Sequence, residues 1–288
     1  MNKPKLKTAV ATYAHTQALK DGTVRPKSFE FEFEEVPVII KAFRRMVRAS
    51  EFDIAELAMT TYVCAREHGK QFTAIPVFPM RGFHHGAILV STTSGIKTPQ
   101  DLEGRKVGVN RGYTVTTGLW ARSILQHEYG VDLKKVTWVL SGDEHVAEYR
   151  PPSNVVSMEP GKTLEEMLAS GEIAAAVGLK DVSRPDIKPL IPNAAEAAKE
   201  WYKRTGIYPI NHTIVVRNDV LAAHPDLARD LFDAFVAAKR GTDMQAYGIE
   251  PNRKALEALV ANSVEQGILS RAVTVDELFV ASTRELTG

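Results

Sequence analysis

Apolar and polar positions alternate most cleanly over residues 29–36. There Phe29, Phe31 and Phe33 fall on one side and Glu30, Glu32 and Glu34 on the other. A period of two marks a half-buried strand. Directly afterwards the period lengthens: Ile40, Phe43 and Val47 recur at helical spacing and predict a helix over 39–49. Short apolar runs at 7–12, 52–55, 73–76, 106–110, 136–140, 173–177 and 212–217 predict strands, and 83–91 a longer one. Helices are predicted from Thr60 to Gly69, over 116–129 before Gly130, over 163–170, and over 193–204 before Gly206. Residues 224–240 form an amphipathic pattern, with Pro225 near the start and Gly241 past the end. Two last helices are predicted near 251–267 and 274–286. Thr98 and Pro99 open a capped turn, and 144–160 reads as irregular.

This alternation of strand and helix predicts an α/β protein whose sheets are mostly parallel and flanked by helices. Ligands in open α/β sheets bind beyond the carboxyl ends of strands. That rule directs attention to residues 13–17, 56–62, 81–85, 111–117 and 179–181.

Composition narrows the function classes. The 288 residues carry 36 Lys+Arg against 35 Asp+Glu, a net charge of +1. A balanced chain lacks the broad basic face of a nucleic-acid binder and the polybasic patch of a membrane anchor. No run approaches a membrane span. Cys64 is the single cysteine, so neither an internal disulfide nor a cysteine-built zinc site is available. The histidines show no tight metal-ligand spacing such as His-Glu-x-x-His, and Gly108, Gly112 and Gly118 make no dinucleotide fingerprint. No metal is expected. Lys3, Lys5 and Lys7 precede a short, Thr-rich segment that reads as a first strand and not as an export signal. A cytoplasmic protein is therefore expected.

Two stretches resemble the type II periplasmic-binding-protein fold. One is 96–109 (IKTPQDLEGRKVGV), followed by a polar turn and a helix carrying Arg122; the other is 163–177 (TLEEMLASGEIAAAV). The resemblance implies two α/β lobes facing each other across a cleft, joined by two crossing strands near 89–93 and 207–213. Residues 1–92 would begin the first lobe, 93–208 form the second, and 209–288 complete the first with C-terminal helices. Within that fold the chain most resembles the 4,5-dihydroxyphthalate decarboxylase family. The residues that carry this are Thr16-Gln17-Ala18-Leu19-Lys20-Asp21-Gly22, Phe52-Asp53-Ile54-Ala55-Glu56-Leu57, Arg81 with His85-Gly86-Ala87-Ile88, His145-Val146-Ala147-Glu148-Tyr149-Arg150, and Gly206-Ile207-Tyr208-Pro209-Ile210-Asn211-His212. The chain departs from the family pattern at Ala14 and His15, where an acidic residue and an arginine are expected, and at His84, where arginine is common.

The resemblance implies loss of one carboxylate from a hydroxylated aromatic ring. Protonation of the ring carbon bearing the carboxylate gives a cation stabilised by a para hydroxyl, and carbon dioxide leaves. No cofactor is required. His85 is the leading proton donor, since histidine titrates near neutrality. His84 and His85 are adjacent, so on a strand they point to opposite faces and only one faces substrate. His212 is expected to orient a hydroxyl, and Glu56 to accept a proton or steer a histidine. His15 is a candidate contact for a hydroxyl or carboxylate.

Carboxylate binding has its own basis in the residues. The turn containing Arg111, Tyr113, Thr114 and Thr116 opens a helix whose free N–H groups favour an anion, and Thr60 and Thr61 open another. Arg81 and Lys180 are candidate fixed cations. His145 reads as structural. The expected partner is a small aromatic or other carboxylate ligand; a homo-oligomer is left open. The alternative reading is a non-catalytic solute-binding protein for a small carboxylate.

Overall fold

The structure is a computed structural model that describes residues 3–180, 182 and 184–288. Its strands are β1 (Lys5–Ala9), β2 (Glu30–Phe33), β3 (Ile54–Ala58), β4 (Phe72–Ile75), β5 (Ile88–Ser91), β6 (Lys106–Val109), β7 (Thr137–Leu140), β8 (Val155–Ser157), β9 (Ala175–Val177), β10 (Ile187–Pro189) and β11 (His212–Arg217). Its helices are α1 (Gln17–Lys20), α2 (Ile40–Ala49), α3 (Met59–Glu67), α4 (Thr116–Tyr129), α5 (Leu164–Ser170), α6 (Ala194–Thr205), α7 (Asn218–Ala223), α8 (Leu227–Ala238) and α9 (Arg253–Glu265).

The strands form two sheets, ordered β2-β1-β3-β11-β4 and β10-β5-β9-β6-β7-β8. Both are mixed, with five of the nine strand pairs among the described residues parallel, in keeping with the two-lobed α/β architecture expected. Parallel pairing joins β1 to β2 and β3, β6 to β7 and β9, and β7 to β8. The antiparallel pairs involve β5, β10 and β11, the strands nearest the two passages of the chain between sheets. Strand β5 pairs in the second sheet, although 1–92 was expected to belong to the first lobe.

The passages themselves lie side by side. Arg81 and Ile210 form an isolated antiparallel bridge, and the Gly82 N–H donates to Pro209 O at 3.2 Å. The first crossing therefore precedes the 89–93 segment expected from sequence. The reason is that 85–87 forms a 3-10 turn, so the strand expected from 83 starts only at Ile88.

Other differences have similar local causes. The helix expected over 224–240 is α8, which starts only at Leu227, and a further short helix, α7, precedes His224 where none was expected. Thr274 and Glu277 form a capping box, but Phe279 is extended and bridges Ala74, which cuts the expected helix at 274–286 into two 3-10 turns.

Apolar burial follows this architecture. Leu231, Phe232 and Phe235 of α8 pack with Ile54, Ile75 and Ile214 on one face of the first sheet. Leu164, Met167 and Leu168 of α5 cover the second sheet with Val139 and Ala176. Helix α9, from the C-terminal segment, lies along α4 of the other lobe. Gln266 just past its end accepts from Arg122 Nε at 2.8 Å and donates to Leu119 O at 3.1 Å. No helix among the described residues is long and apolar enough to cross a membrane.

Candidate functional site

A cavity of about 530 Å³ opens between the lobes. This lies in the size range of small-molecule sites. One wall is apolar, from Val38, Ile40 and Phe43. The opposite wall comes from Arg111, Val115, Thr116 and Thr117 at the start of α4. The two crossing segments supply Met80, His84, Asn211 and His212.

Sheet register assembles the central pair. Strand β11 runs antiparallel to β3 with Ile214 opposite Glu56. Side chains alternate along a strand, so His212 shares a face with Ile214 and becomes a diagonal neighbour of Glu56. His212 Nδ1 stands 2.5 Å from Glu56 Oε1. Glu56 is fully buried. Its Oε1 also accepts from the Tyr13 hydroxyl at 2.8 Å, and its Oε2 from the Ala11 N–H at 3.0 Å.

Burial works to raise the Glu56 carboxyl, but the His212 contact and these two donors outweigh it and hold it below the usual carboxylate range. Burial, then the adjacent carboxylate, raises the Tyr13 phenol, so it remains a donor. With Nδ1 committed to Glu56, the Nε2 edge of His212 has no protein partner among the described residues and borders the cavity. The Phe43 ring packs edge-on against His212 at 5.0 Å.

Two more imidazoles share the cavity. His84 Nε2 lies 3.3 Å from Asn211 Oδ1, and burial lowers its pKa to about 4. His145 Nδ1 lies 3.2 Å from Thr61 Oγ1; burial, then Arg44, Arg111 and Arg48, lower it to about 4. Both are therefore neutral at physiological pH. His145 and Asn211 were not picked out from sequence as site residues. Each lay inside a quoted family-like run, which was the available signal.

Arg111 is the cation best placed for a ligand. It borders both the cavity and its outer mouth, where Arg44 and Arg48 also stand. Its guanidinium makes no hydrogen bond or ion pair among the described residues; its backbone N–H donates to Ser141 Oγ at 2.8 Å. Its φ of 73° is left-handed, an uncommon conformation for a side chain of this size. Burial lowers its pKa. Lys180 sits exposed at the cavity edge. Arg81 borders the cavity, but its guanidinium turns to Gln245 Oε1 (3.2 Å) and Asn252 Oδ1.

Several expected contacts are used elsewhere. His85 does not border the cavity: the 3-10 turn at 85–87 aims it at Trp201, with ring centroids 5.5 Å apart. The residue of the adjacent pair that faces the cavity is His84. His15 Nε2 donates to Pro79 O (2.9 Å) and the ring stacks on Tyr13, which fixes the loop after β1 to the first crossing segment.

The two helix starts do not face each other across open space. Thr60 Oγ1 donates to Thr114 O at 2.6 Å and lies 2.8 Å from Thr116 Oγ1. Thr61 is taken by His145. Tyr113 is buried beneath the Arg122 guanidinium, 3.7 Å from the ring centroid.

The anion at the α4 turn is internal. Glu144 Oε1 accepts the Tyr113 N–H, and Oε2 accepts the Thr114 N–H (3.2 Å) and hydroxyl (2.6 Å). A Cβ at Gly112 would stand 2.6 Å from Glu144 Oε2. The loop carrying Glu144 is held to the first lobe as well. Asp143 receives Arg44 at 2.5 Å and Arg48 at 2.8 Å. Asp181, inside the 179–181 segment expected at a strand end, lies outside the described residues.

Two α/β lobes, paired crossing segments and a cavity between them define the type II periplasmic-binding-protein fold. The family profile described as "ABC transporter, phosphonate, periplasmic substrate-binding protein" matches residues 28–266. The chain also overlays the periplasmic aliphatic sulphonate binding protein SsuA from Escherichia coli with a TM-score of 0.51. That overlay covers 100% of this chain and 86% of the other at 14% identity, a likeness of fold alone.

Two curated relatives are named 4,5-dihydroxyphthalate decarboxylase. The Comamonas testosteroni protein is 29% identical, over 99% of this chain and 99% of its own. The Pseudomonas putida protein is 32% identical, over 70% of this chain and 83% of its own. The chain belongs to the 4,5-dihydroxyphthalate decarboxylase-like family within the periplasmic-binding fold.

Proposed function

We propose that this chain removes a carboxylate, as carbon dioxide, from a hydroxylated aromatic acid held between its lobes. 4,5-Dihydroxyphthalate, named for both relatives, is the first candidate substrate. The observation that carries the reading is the buried Glu56–His212 pair, whose Nε2 edge borders the cavity. Glu56 keeps the proton on Nδ1 and stabilises a positive imidazole, as a buried carboxylate does in other acid–base pairs. Nε2–H then delivers a proton to the ring carbon that bears the carboxylate. The carbon–carbon bond breaks, carbon dioxide leaves, and the electron pair restores the aromatic ring. A positioned proton donor of this kind contributes roughly 10²–10⁴-fold.

Arg111 holds a carboxylate, with His145 beside it. The donor is thus His212, and His85, which sequence favoured, has a packing role. The experiment is to incubate the protein in D₂O with 4,5-dihydroxyphthalate and a panel of hydroxybenzoates. Carbon dioxide release with one deuterium at the vacated ring position supports the reading. Ligand-induced stabilisation without product from any acid replaces it with the solute-binding alternative, which the family profile favours.

A further inference from the structure

Three imidazoles border the cavity, and the step above employs only His212 as its proton donor. His84 comes from the first crossing segment, whereas Asn211 and His212 come from the second. The N–H groups of both donate to Met80 O, at 2.9 and 3.1 Å, which pins the second segment beside the first just ahead of His84. One ring nitrogen of His84 is tied to Asn211. The other, Nδ1, has no protein partner among the described residues. A neutral imidazole has one N–H and one lone pair. With the N–H on Nε2 and given to Asn211 Oδ1, the Nδ1 lone pair is left for the cavity. His145 stands beside Arg111, Arg44 and Arg48.

We propose that His84 is a second catalytic residue, whose Nδ1 accepts the proton of the ring hydroxyl para to the departing carboxylate. This rests on the decarboxylation reading and assigns a partner to its proton donor. In the first step the His212 Nε2–H bond breaks and a C–H bond forms at the carbon bearing the carboxylate. The hydroxyl O–H bond breaks with it. Its proton passes to His84 Nδ1, and the oxygen electrons form a C=O bond, which leaves an uncharged dienone ring carrying its carboxylate.

In the second step the bond to the carboxylate breaks. Its electron pair restores the aromatic ring, the C=O electrons return to oxygen, and carbon dioxide departs. The phenoxide then takes its proton back from His84. The net change replaces the carboxylate by a proton, which water restores to His212; nothing is oxidised or reduced. A weak base suffices, because a hydroxyl on a protonated aromatic ring is a strong acid. The low basicity that burial gives His84 also helps return the proton.

The test compares wild type, His84→Ala and His84→Asn on 4,5-dihydroxyphthalate and on its 4,5-dimethoxy analogue, which has no proton to give. The expected result is a fall in kcat of about 10²–10⁴-fold in both variants on the hydroxylated acid, with KM little changed. Added imidazole restores part of the loss in His84→Ala. On the dimethoxy analogue, wild type and variants are equally slow. His84→Asn keeps a polar group of similar bulk, so a folding defect confined to the alanine variant does not obscure the answer. Normal kcat in both variants, or a loss found wholly in KM, overturns the catalytic role while the decarboxylation reading stands. A wild type inactive on every para-hydroxylated acid removes that reading, and this role with it.

Discussion

His212 Nδ1 lies 2.5 Å from Glu56 Oε1, and the carboxylate is closed off from solvent. A proton donor held this way depends on its partner's charge. Glu56→Gln keeps the size and loses the charge. It is expected to lower kcat by roughly 10²–10⁴-fold with little change in KM. Steady-state kinetics beside an unchanged circular dichroism spectrum checks this. Wild-type turnover in the variant would sink the dyad.

Arg111 pairs an unpartnered guanidinium with a left-handed backbone. Arg111→Gly relieves the backbone and removes the cation. Thermal stability should hold or rise, while ligand affinity falls about 10–150-fold, the worth of a charged hydrogen bond of roughly 1.5–3 kcal/mol. Calorimetric titration with substrate or its decarboxylated product separates the two effects. Unchanged affinity would remove Arg111 from the binding site.

Stability should decline on acidification before ordinary carboxylates titrate. His84 and His145 are lowered to about 4 in the folded protein. Between the unfolded histidine value near 6.5 and that point, the unfolded chain binds protons that the folded chain refuses. Each residue therefore removes up to about 1.4 kcal/mol of stability per pH unit as pH falls through this window. Glu56 acts in the same direction lower down: its stabilisation is complete above the unfolded carboxyl value and is lost as pH falls through its depressed folded value. Urea midpoints at several pH values, for wild type, His84→Gln and His145→Gln, should show flatter profiles in the variants. Identical slopes in all three would refute the assignment.

Gly112 abuts the Glu144 carboxylate. Gly112→Ala should expel it from the turn and lower stability by about 1–3 kcal/mol. Adding Glu144→Ala to that variant should cost less than Glu144→Ala alone, because both changes remove the same contact. Denaturant unfolding of the three variants measures the coupling, and strict additivity would mean that the contact is not formed.

His85 packs against Trp201, off the cavity wall. His85→Gln is expected to leave turnover near wild type. Loss of turnover in a folded variant would return His85 to the chemistry.

The elements were largely legible in the sequence because their periods were clear and glycines stood at their ends. Gly130, Gly171 and Gly206 all cap helices in the left-handed conformation. The cavity was legible where residues sit at strand ends, as with Arg111 and His212, whereas Glu56 lies inside β3 and reaches the site only through His212. The cavity was not legible where phase or distant contacts decide. A single 3-10 turn at 85–87 puts His84, and not His85, on the cavity wall. The meeting of Thr60 with Thr116 joins residues 56 apart in sequence, and the bond from Thr114 to Glu144 spans 30. No local pattern announces either pairing.

The tethered carboxylate of Glu144 has a consequence for what this scaffold can capture. Backbone amides at a helix start form a ready receptor for sulfonate or phosphonate oxygens. Here two amides just ahead of the helix, those of Tyr113 and Thr114, are already taken by the chain's own carboxylate. Under the proposed function, a visiting acid meets its counter-charge on the Arg111 guanidinium at the cavity wall. The turn thus spends these two amides on an internal charge and leaves the long Arg111 side chain without a protein partner among the described residues.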